Sequence, residues 1–390
     1  MMREGWVYKK LGELCTSISD GSHNPPKGID HSLYRMISSQ NVFDDNLQIT
    51  EDNVRYITES DHLCENKRTK LQKDVVLLTI VGTIGRSCVL KGNEGCLTLQ
   101  RSVAALHPSD QIMPRYLMHC LIGNRHTLNQ EAHGIAQKGI YLKQLSSLSI
   151  PLPPKSTQLA IVSELDKINE LIRLKKEQLK DFDNLAQSLF YEMFGDPVKN
   201  EKGWEVKKLK EIATEKLSYG SGASAVPFNT SVRYIRITDI NEYGELKDEK
   251  VSPNIFEEKY LLAEGDILFA RSGATVGKTY LHKRNKIPCI YAGYLIRLRP
   301  NEKLVLPNYV YYYTKSNYYK SFICANQRVV AQPNINAKQY GDLELPLPPL
   351  PLQQLFAQRI EQIEHQKSEV QKAITNLETL LASRMQYWFE

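Results

Sequence analysis

Two short strings in this sequence are similar to motifs of enzymes that bind nucleotides or modify bases. Residues 273–279 read GATVGKT, close to the phosphate-binding loop GxxxxGK[ST], but only three residues separate the glycines where the loop needs four. Residues 24–27 read NPPK, similar to the NPPY-type motif of adenine methyltransferases, with Lys27 where an aromatic residue would stack on a flipped base. We therefore expect neither ATP hydrolysis nor methyl transfer from this chain, and no catalytic residue is assigned.

The histidines and cysteines are spaced too irregularly to predict a metal site. His23 lies in DGSHNPP, and no two of the nine histidines form an HxxxH pair. We interpret His23 as a loop hydrogen bond or a DNA contact. The seven cysteines contain no CxxC pair, so neither a zinc site nor a disulfide framework is predicted. We expect buried thiols in a reducing cytoplasm.

Side chains that read base edges or hold phosphates occur in the polar, glycine-containing loops. In the first half the candidates for DNA contact are Ser22, His23, Lys27, Arg86, Lys91, Arg101, Gln137 and Lys138. In the second half they are Tyr219, Ser221, Arg271, Ser272, Lys278, Arg284, Arg328 and Gln332. Lysine plus arginine exceed aspartate plus glutamate by 50 − 44 = 6, a mild excess that suits a phosphate-facing surface without requiring one.

These candidates lie in two copies of one unit. GWVYKKLGELC at residues 5–15 returns as GWEVKKLKEIA at 203–213, an offset of 198. DVVLLTIVGTIGR at 74–86 aligns without gaps with DILFARSGATVGK at 266–278, an offset of 192, so Arg86 and Lys278 are equivalent and predicted to contact phosphate. Matches in the same order at nearly constant offset indicate an internal duplication.

Between the matches the copies diverge, above all at residues 20–31 against 219–230. A shared scaffold with different loops is expected when two copies bind different targets. Apolar runs that end in glycine turns predict buried strands at residues 75–78 and 267–269, and residues 309–313 predict an aromatic-rich helix or strand. The fold class is therefore α+β, with mixed helices and strands in each copy.

A proline string ends each copy and precedes a long helix. IPLPP at residues 150–154 and LPLPP at 345–349 predict the edge of a domain, because proline ends regular structure. Beyond each, apolar residues recur every seven positions, with Lys175 and Lys367 as interruptions. Residues 157–193 would span roughly 55 Å as a helix. The expected partner of each helix is the other helix, in a coiled coil; packing on its own domain is the alternative.

The whole chain resembles the specificity (S) subunit of type I restriction-modification enzymes. The resemblance rests on the two PLPP helix entries, the DILF-type strand with its glycine turn, LQRSVAAL at residues 99–106, and the helix endings SLFYEMFGD at 188–196 and SRMQYWF at 383–389. It implies target-recognition domains at 1–152 and 198–347, each reading half of a bipartite DNA site. It also implies spacer helices at 153–197 and 348–390, paired antiparallel as a pseudo-two-fold duplication.

The same resemblance implies the partners. They are double-stranded DNA, DNA methyltransferase (modification) subunits docked on the helices, and a restriction/translocase subunit. S-adenosylmethionine, ATP and Mg would be held by those subunits and no cofactor by this chain. No signal peptide or membrane segment is predicted, because the longest apolar runs, such as VVLLTIV at 75–81, have only the length of a strand. The alternative function is a coiled-coil scaffold that binds proteins rather than DNA.

Overall fold

The computed structural model describes residues 5–133, 138–241, 243–327 and 334–389. They divide into two compact units. Unit 1 comprises the described residues up to 176 together with those from 372 onward, and unit 2 comprises those from 177 to 371. Each long helix therefore contributes one part to each unit.

Unit 1 contains eleven strands among its described residues. They are β1 (Val7–Lys10), β2 (Cys15–Asp20), β3 (Tyr34–Ile37), β4 (Val42–Phe43), β5 (Asn46–Leu47), β6 (Arg55–Tyr56), β7 (Val76–Thr79), β8 (Ser87–Val89), β9 (Cys96–Leu99), β10 (Val103–Pro108) and β11 (Ser149–Leu152). Its helices are α1 (Leu11–Leu14), α2 (Glu59–Thr69), α3 (Pro114–Gly123), α4 (Arg125–Gln130), α5 (Leu142–Ser147) and the first part of α6 (Lys155–Phe194).

Unit 2 repeats this order with fewer small elements. Its strands are β12 (Glu205–Lys208), β13 (Ser218–Tyr219), β14 (Ala225–Pro227), β15 (Arg233–Ile235), β16 (Val251–Pro253), β17 (Ile267–Ala270), β18 (Thr279–Leu281), β19 (Cys289–Tyr291), β20 (Leu295–Leu298) and β21 (Glu344–Leu347). Its helices are α7 (Pro307–Tyr313), α8 (Asn317–Gln327), α9 (Ala337–Gly341) and the first part of α10 (Leu350–Phe389).

The two units share their main sheet and two strand pairs. A four-stranded sheet has the order β2-β10-β7-β8 in unit 1 and β13-β20-β17-β18 in unit 2, with antiparallel neighbours in both. A parallel pair, β3 with β9 or β15 with β19, and an antiparallel pair, β1 with β11 or β12 with β21, complete the likeness. The predicted α+β duplication is confirmed.

The gapless alignment of the glycine-turn strand is wrong by one residue. Val75 accepts a backbone hydrogen bond from Leu90, and its equivalent in unit 2, Asp266, accepts one from His282. The strands are thus related by an offset of 191, whereas Gly85 and Gly277 beyond the turn keep 192. The turn of unit 2 contains one extra residue. An alignment by residue type alone leaves no gap there and so shifts the strand by one position.

The first part of each proline string forms a strand, and the paired prolines that follow separate this strand from the long helix. In β11, Ile150 to Leu152 pair with β1, and Pro151 lies opposite Tyr8. Proline is tolerated there because this sheet has only two strands, so every strand has an open edge. The carbonyl of Pro151 accepts a hydrogen bond of 2.8 Å from the buried Tyr116 hydroxyl, and Tyr309 bonds Pro346 in the same way at 2.5 Å.

A buried glutamine attaches the start of each long helix to its unit. The amide oxygen of Gln158 accepts from the Met113 backbone N–H at 2.9 Å, and its nitrogen donates to the carbonyls of Gln111 and Pro153. Gln353 makes the same pattern in unit 2, accepting from Leu306 at 2.8 Å. Both side chains are 1% exposed or less, so the amides replace water at backbone groups that would otherwise be unpaired.

In unit 1 the two long helices run antiparallel. Glu164 of α6 pairs with Arg384 of α10 and accepts from the Trp388 indole, while Lys176 pairs with Glu378 at 2.8 Å. The α6 numbers rise as the α10 numbers fall. Residues 161 and 165 also join the apolar core of the domain, so the predicted helix pairing and its alternative, packing on the domain, both occur.

Unit 2 shows the same antiparallel pairing and explains one heptad interruption. Phe190 of α6 packs edge-to-face on Phe356 of α10 with 5.9 Å between ring centroids. Lys367, which breaks the apolar repeat, bonds Asp183 of α6 at 2.7 Å. A charged pair inside a helix seam favours one register over others.

Each amino-terminal tryptophan lies against the end of a long helix. Trp6 stacks on Trp388 with ring planes 6° apart, and Phe389 contributes to the core of unit 1. In unit 2 the Trp204 indole donates to the carbonyl of Phe194, the last residue of α6, at 2.9 Å. The repeated GW strings therefore make equivalent contacts to the end of a long helix. In unit 1 the contact joins residues distant in sequence, and in unit 2 it joins residues close in sequence.

Candidate nucleic-acid interface

Most described candidate residues gather at one end of each four-stranded sheet, which we call the loop end. It is the end at which β2 and β7, or β13 and β17, finish and their neighbours begin. At the loop end of unit 2 lie Tyr219, Ser221, Arg271, Ser272 and Lys278. The sheet therefore brings together residues up to 59 positions apart in the sequence.

At the loop end of unit 1 lie Ser22, Arg86 and Arg101. The backbone N–H of Arg101 donates to the carbonyl of Ser22 at 2.9 Å. Lys138 joins them, since its carbonyl accepts from Gly82 in the turn after β7. His23 and Lys27 are exposed in the loop that leaves β2.

Each loop begins with a Gly–Ser pair that belongs to the scaffold. The backbone N–H groups of Ser22 and Ser221 donate to the carbonyls of Leu99 and Tyr291, both at 2.8 Å. A Cβ atom on the preceding glycine would lie 2.1 Å from the Leu99 oxygen in unit 1 and 2.3 Å from that of Tyr291 in unit 2. Only glycine allows so close a crossing of two backbones.

The two serines expose too little side chain to read bases in this structure. Ser22 is 8% exposed and Ser221 is 2% exposed. The Ser221 carbonyl also accepts from the Tyr234 hydroxyl at 2.9 Å, and burial raises the pKa of that phenol, which keeps it protonated as a donor. A structural role accounts for both serines, which are alike in the two units although the residues around each Gly–Ser pair differ.

Arg271 makes two side-chain contacts at the loop end of unit 2. Its guanidinium carbon lies 4.6 Å from the centre of the Tyr219 ring, and its Nε donates to the Asn334 side chain at 3.2 Å. The Tyr219 hydroxyl accepts from the Ala337 backbone at 3.0 Å. Ser272 bridges to Asn334 through the backbone, so two segments hold this arginine in place.

Unit 1 places a different arginine at the corresponding point. Asp20, which lies directly before the Gly–Ser pair as Tyr219 does, forms an ion pair with Arg68 of α2 and accepts from His23 at 2.6 Å. The Asp20 side chain is 10% exposed and that of Arg68 is 54% exposed. The predicted loop hydrogen bond of His23 is confirmed.

Arg86 and Lys278 occupy equivalent places after their glycine turns, although their surroundings differ. The guanidinium of Arg86 lies over the Phe43 ring, 4.7 Å from its centre. Lys278 is half-buried and leads directly into β18, where Thr279 is 1% exposed. A phosphate-binding loop opens a helix, so the strand that follows GATVGKT does not fit that motif.

Two candidates lie away from the loop ends. Lys91 follows β8 and Arg284 follows β18, which places both at the opposite end of their sheets. Lys91 also donates its backbone N–H to Glu94, as a residue in a tight turn does. Both residues are predicted as DNA contacts because their turns are polar. The direction of the strands, however, places the two residues apart from the other candidates. Gln137, Arg328 and Gln332 lie outside the described residues.

The structure adds three residues that sequence reasoning missed, namely Arg68, Tyr294 and Asn334. Tyr294 is 63% exposed beside Arg271, whose N–H donates to the Tyr294 carbonyl. An alignment of residues 99–106 with 291–298 would have directed attention to it. Arg68 comes from a helix distant in sequence, and no local pattern could have indicated it.

The described residues contain no group of three metal-ligating side chains. The expectation of buried thiols is wrong for three of the seven cysteines, because Cys64, Cys96 and Cys324 are exposed. Cys64 lies on α2 and Cys324 on α8, where a helix presents one face to solvent. No described helix combines the length and apolar character needed to cross a membrane.

A family model described as the type I restriction modification DNA specificity domain matches the chain twice, at residues 3–181 and 201–379. The two matches cover most of the sequence and follow the internal duplication. Each match includes one loop end and the larger part of the long helix that follows it.

Two curated relatives are specificity subunits of type I restriction enzymes. The EcoBI subunit of Escherichia coli is 21% identical over 313 residues, which cover 73% of this chain and 66% of the relative. The MjaVIII subunit of Methanocaldococcus jannaschii is 24% identical over 339 residues, covering 80% of this chain and 78% of the relative. The match thus spans just under two thirds of the first relative.

Two solved structures share the fold. A type I restriction-modification S subunit from M. genitalium superposes with a TM-score of 0.55 at 15% identity, covering 98% of this chain and 95% of that one. A chain from a structure concerned with complex assembly and conformational transition of the type I R-M system gives 0.57 at 16% identity, covering 100% and 99%.

Proposed function

Since this chain belongs to the type I restriction-modification DNA specificity family, we propose that it is the subunit that reads DNA sequence in such a complex. Domains 1–152 and 198–347 each read one half of a bipartite duplex site. The helices at 153–197 and 348–390 set the gap between the half-sites. The chain itself carries out no catalysis.

One observation supports this proposal above the others. Equivalent loop ends, built on the same hydrogen bonds, present different cations held by different partners, with Arg68 beside Asp20 in one and Arg271 beside Tyr219 in the other. If both copies bound the same target, the same cation and the same partner would be expected at the two loop ends. Arginine is suited to this position because its planar fork matches both guanine and phosphate.

The partners follow from the same proposal. Methyltransferase subunits would dock on the long helices, and a restriction/translocase subunit would join the complex. S-adenosylmethionine, ATP and Mg would be bound by those subunits. Exposed leucines along the helices, among them Leu171, Leu174 and Leu380, offer apolar surface for such docking.

A binding selection from randomised duplexes tests the proposal. The chain assembled with its methyltransferase subunits should enrich one asymmetric, interrupted motif, with affinity that falls steeply as salt rises. A continuous motif, or no enrichment at all, would contradict it. Absence of duplex binding together with capture of a protein ligand would favour the coiled-coil scaffold.

A domain exchange tests the division of labour. Replacing residues 1–150 by the corresponding domain of a relative should change one half-site and leave the other intact. Changes in both halves would contradict independent reading. Inserting whole helical turns into α6 and α10 should lengthen the unspecified gap, and an unchanged gap would remove the role of the helices as a ruler.

A further inference from the structure

The residue directly before each Gly–Ser pair contacts an arginine from elsewhere in its unit. Asp20 and Tyr219 are equivalent, because Gly21 and Gly220 donate to the carbonyls of Val103 and Leu295, both at 3.2 Å. Asp20 pairs with Arg68 and Tyr219 stacks on Arg271. The position is shared, while the chemistry of the contact and the origin of the arginine are not.

We propose that this position holds the positioning residue for a base-reading arginine in each half of the molecule. Arg271 reads a guanine in one half-site and Arg68 reads one in the other. The proposal rests on the proposed function and deepens it, because it names the side chains that confer specificity. It predicts that each pair affects one base pair of one half-site.

In unit 2 the contacts leave the reading edge of the arginine open. Asn334 takes Nε, and the Tyr219 ring covers one face of the guanidinium. Among the described residues, no other side chain accepts a hydrogen bond from Arg271. The two terminal nitrogens thus remain for a bidentate contact to guanine O6 and N7, with the plane already oriented.

Tyr219 can hold that orientation because it is itself fixed. Its backbone belongs to β13, where it lies opposite Ile296 of β20, and its hydroxyl accepts from the first residue of α9. A ring anchored at both ends restricts the arginine without consuming its donors. The entropy of ordering the arginine is then lost on folding rather than on binding DNA.

In unit 1 a carboxylate replaces the ring. Asp20 is nearly buried at the end of β2, and one terminal nitrogen of Arg68 reaches it from the last turn of α2. Slightly more than half of the Arg68 side chain remains exposed. His23 binds the other oxygen of the same carboxylate and so fixes its rotation.

The two arrangements cannot be exchanged by a single substitution. The unit 1 residue equivalent to Arg271 is Ile80, since the N–H groups of both donate to equivalent carbonyls, those of Ser102 and Tyr294. Ile80 is 3% exposed and belongs to the core. The two units therefore carry one arginine to the same end of the sheet on different elements. This difference would allow the two half-sites to differ in base sequence.

Binding selections on the complex with its methyltransferase subunits test the unit 2 pair. Arg271→Ala should make one base pair of one half-site degenerate, with a loss of discrimination of about tenfold or more. Tyr219→Ala should weaken discrimination at the same base pair. Tyr219→Phe keeps the ring over the guanidinium but removes the hydroxyl anchor, so it should retain more discrimination than Tyr219→Ala; equal losses in the two variants would assign the effect to the hydroxyl contact alone.

The unit 1 pair is tested in the same selections. Arg68→Ala and Asp20→Asn should both relax one base pair, in the opposite half-site. Lys303→Ala is the control, because it removes an exposed cation that follows β20 at the far end of the sheet in unit 2, and it should leave every position of the motif unchanged.

The outcomes separate this proposal from the proposed function. If the unaltered complex enriches no interrupted motif, the function itself fails. If it does so and Arg271→Ala or Arg68→Ala weakens binding equally for all sequences, that arginine contacts phosphate and the proposal is overturned for its unit. If Tyr219→Ala leaves discrimination intact while Arg271→Ala removes it, the positioning role of Tyr219 is refuted.

Discussion

The loop ends of units 1 and 2 differ in what they present and agree in how they are built. In both, a glycine crosses a neighbouring strand and a serine N–H closes the crossing. Directly before the crossing, unit 1 has a carboxylate that contacts an arginine and a histidine, and unit 2 has a tyrosine that stacks on an arginine. The comparison teaches that the two units keep this backbone crossing and diverge in the side chains and segments around it.

The largest effect is expected where the shared backbone crossing is disturbed. In Gly220→Ala the new Cβ would meet the carbonyls of Tyr291 and Ala292 at 2.3 and 2.4 Å, both backbone atoms that cannot move aside. Unfolding should become easier by about 3 kcal/mol or more, as for severe overpacking. Chemical denaturation of the complex measures this. Gly222→Ala, with no atom within 4 Å of its Cβ, should change stability by less than about 0.5 kcal/mol.

The glutamine anchors should matter equally in the two units. Gln158→Ala and Gln353→Ala each leave buried backbone groups unpaired, which costs about 1 to 3 kcal/mol per site. Denaturation midpoints of the two variants compare them, with Gln354→Ala, at an exposed neighbouring position, as the control. A loss in only one unit would show that the helix starts are not equivalent.

Arg86 and Lys278 should affect affinity without affecting specificity. If both contact phosphate, replacing either by alanine weakens binding to all sequences alike and reduces the salt dependence by about one charge. Titrations with duplex DNA at several salt concentrations supply the slope. A change at a defined base pair would instead make the residue a base reader.

The smallest expected effect is on the pH dependence of stability, at a position where the two units carry different residues. Burial lowers the pKa of His282 below its ordinary value of 6.5, although the carboxylates of Asp266 and Glu264 act in the opposite direction. The unfolded chain therefore takes up a proton on His282 at a higher pH than the folded chain does. The stability that the neutral, buried imidazole allows is lost as pH falls from 6.5. Unit 1 has Leu90 at the equivalent place. His282→Leu should flatten the decline of the melting temperature between pH 7 and 5, and an unaltered decline would assign it to other groups.

Much of the scaffold could be predicted because it follows local rules. The strands before the glycine turns, the start of each helix after a proline string and the heptad repeats all depend on neighbouring residues. The one-residue shift between the turns could not be seen, because Val75 and Asp266 are equivalent by hydrogen bonding and unlike in type. The strand through Pro151 was missed because its single neighbour, β1, lies far away in sequence.

The candidate site was predicted less completely than the fold. Residue type alone placed Lys91 and Arg284 with the others, since an exposed cation in a turn looks the same at either end of a sheet. Arg68 escaped notice because a helix far along the chain carries it to Asp20. Contacts of this kind depend on the tertiary structure, and a single sequence does not display them.

The stack of Trp6 on Trp388 has a consequence for synthesis on the ribosome. Phe389 packs within 5.8 Å of the Tyr116 ring in the core of unit 1, whereas the core of unit 2 is supplied by residues 182–363. Because domains fold as they emerge, unit 2 can be finished while the first-made domain still waits for its last piece. The unit translated first is thus the one completed last, and until then part of its apolar core is without its partner residues.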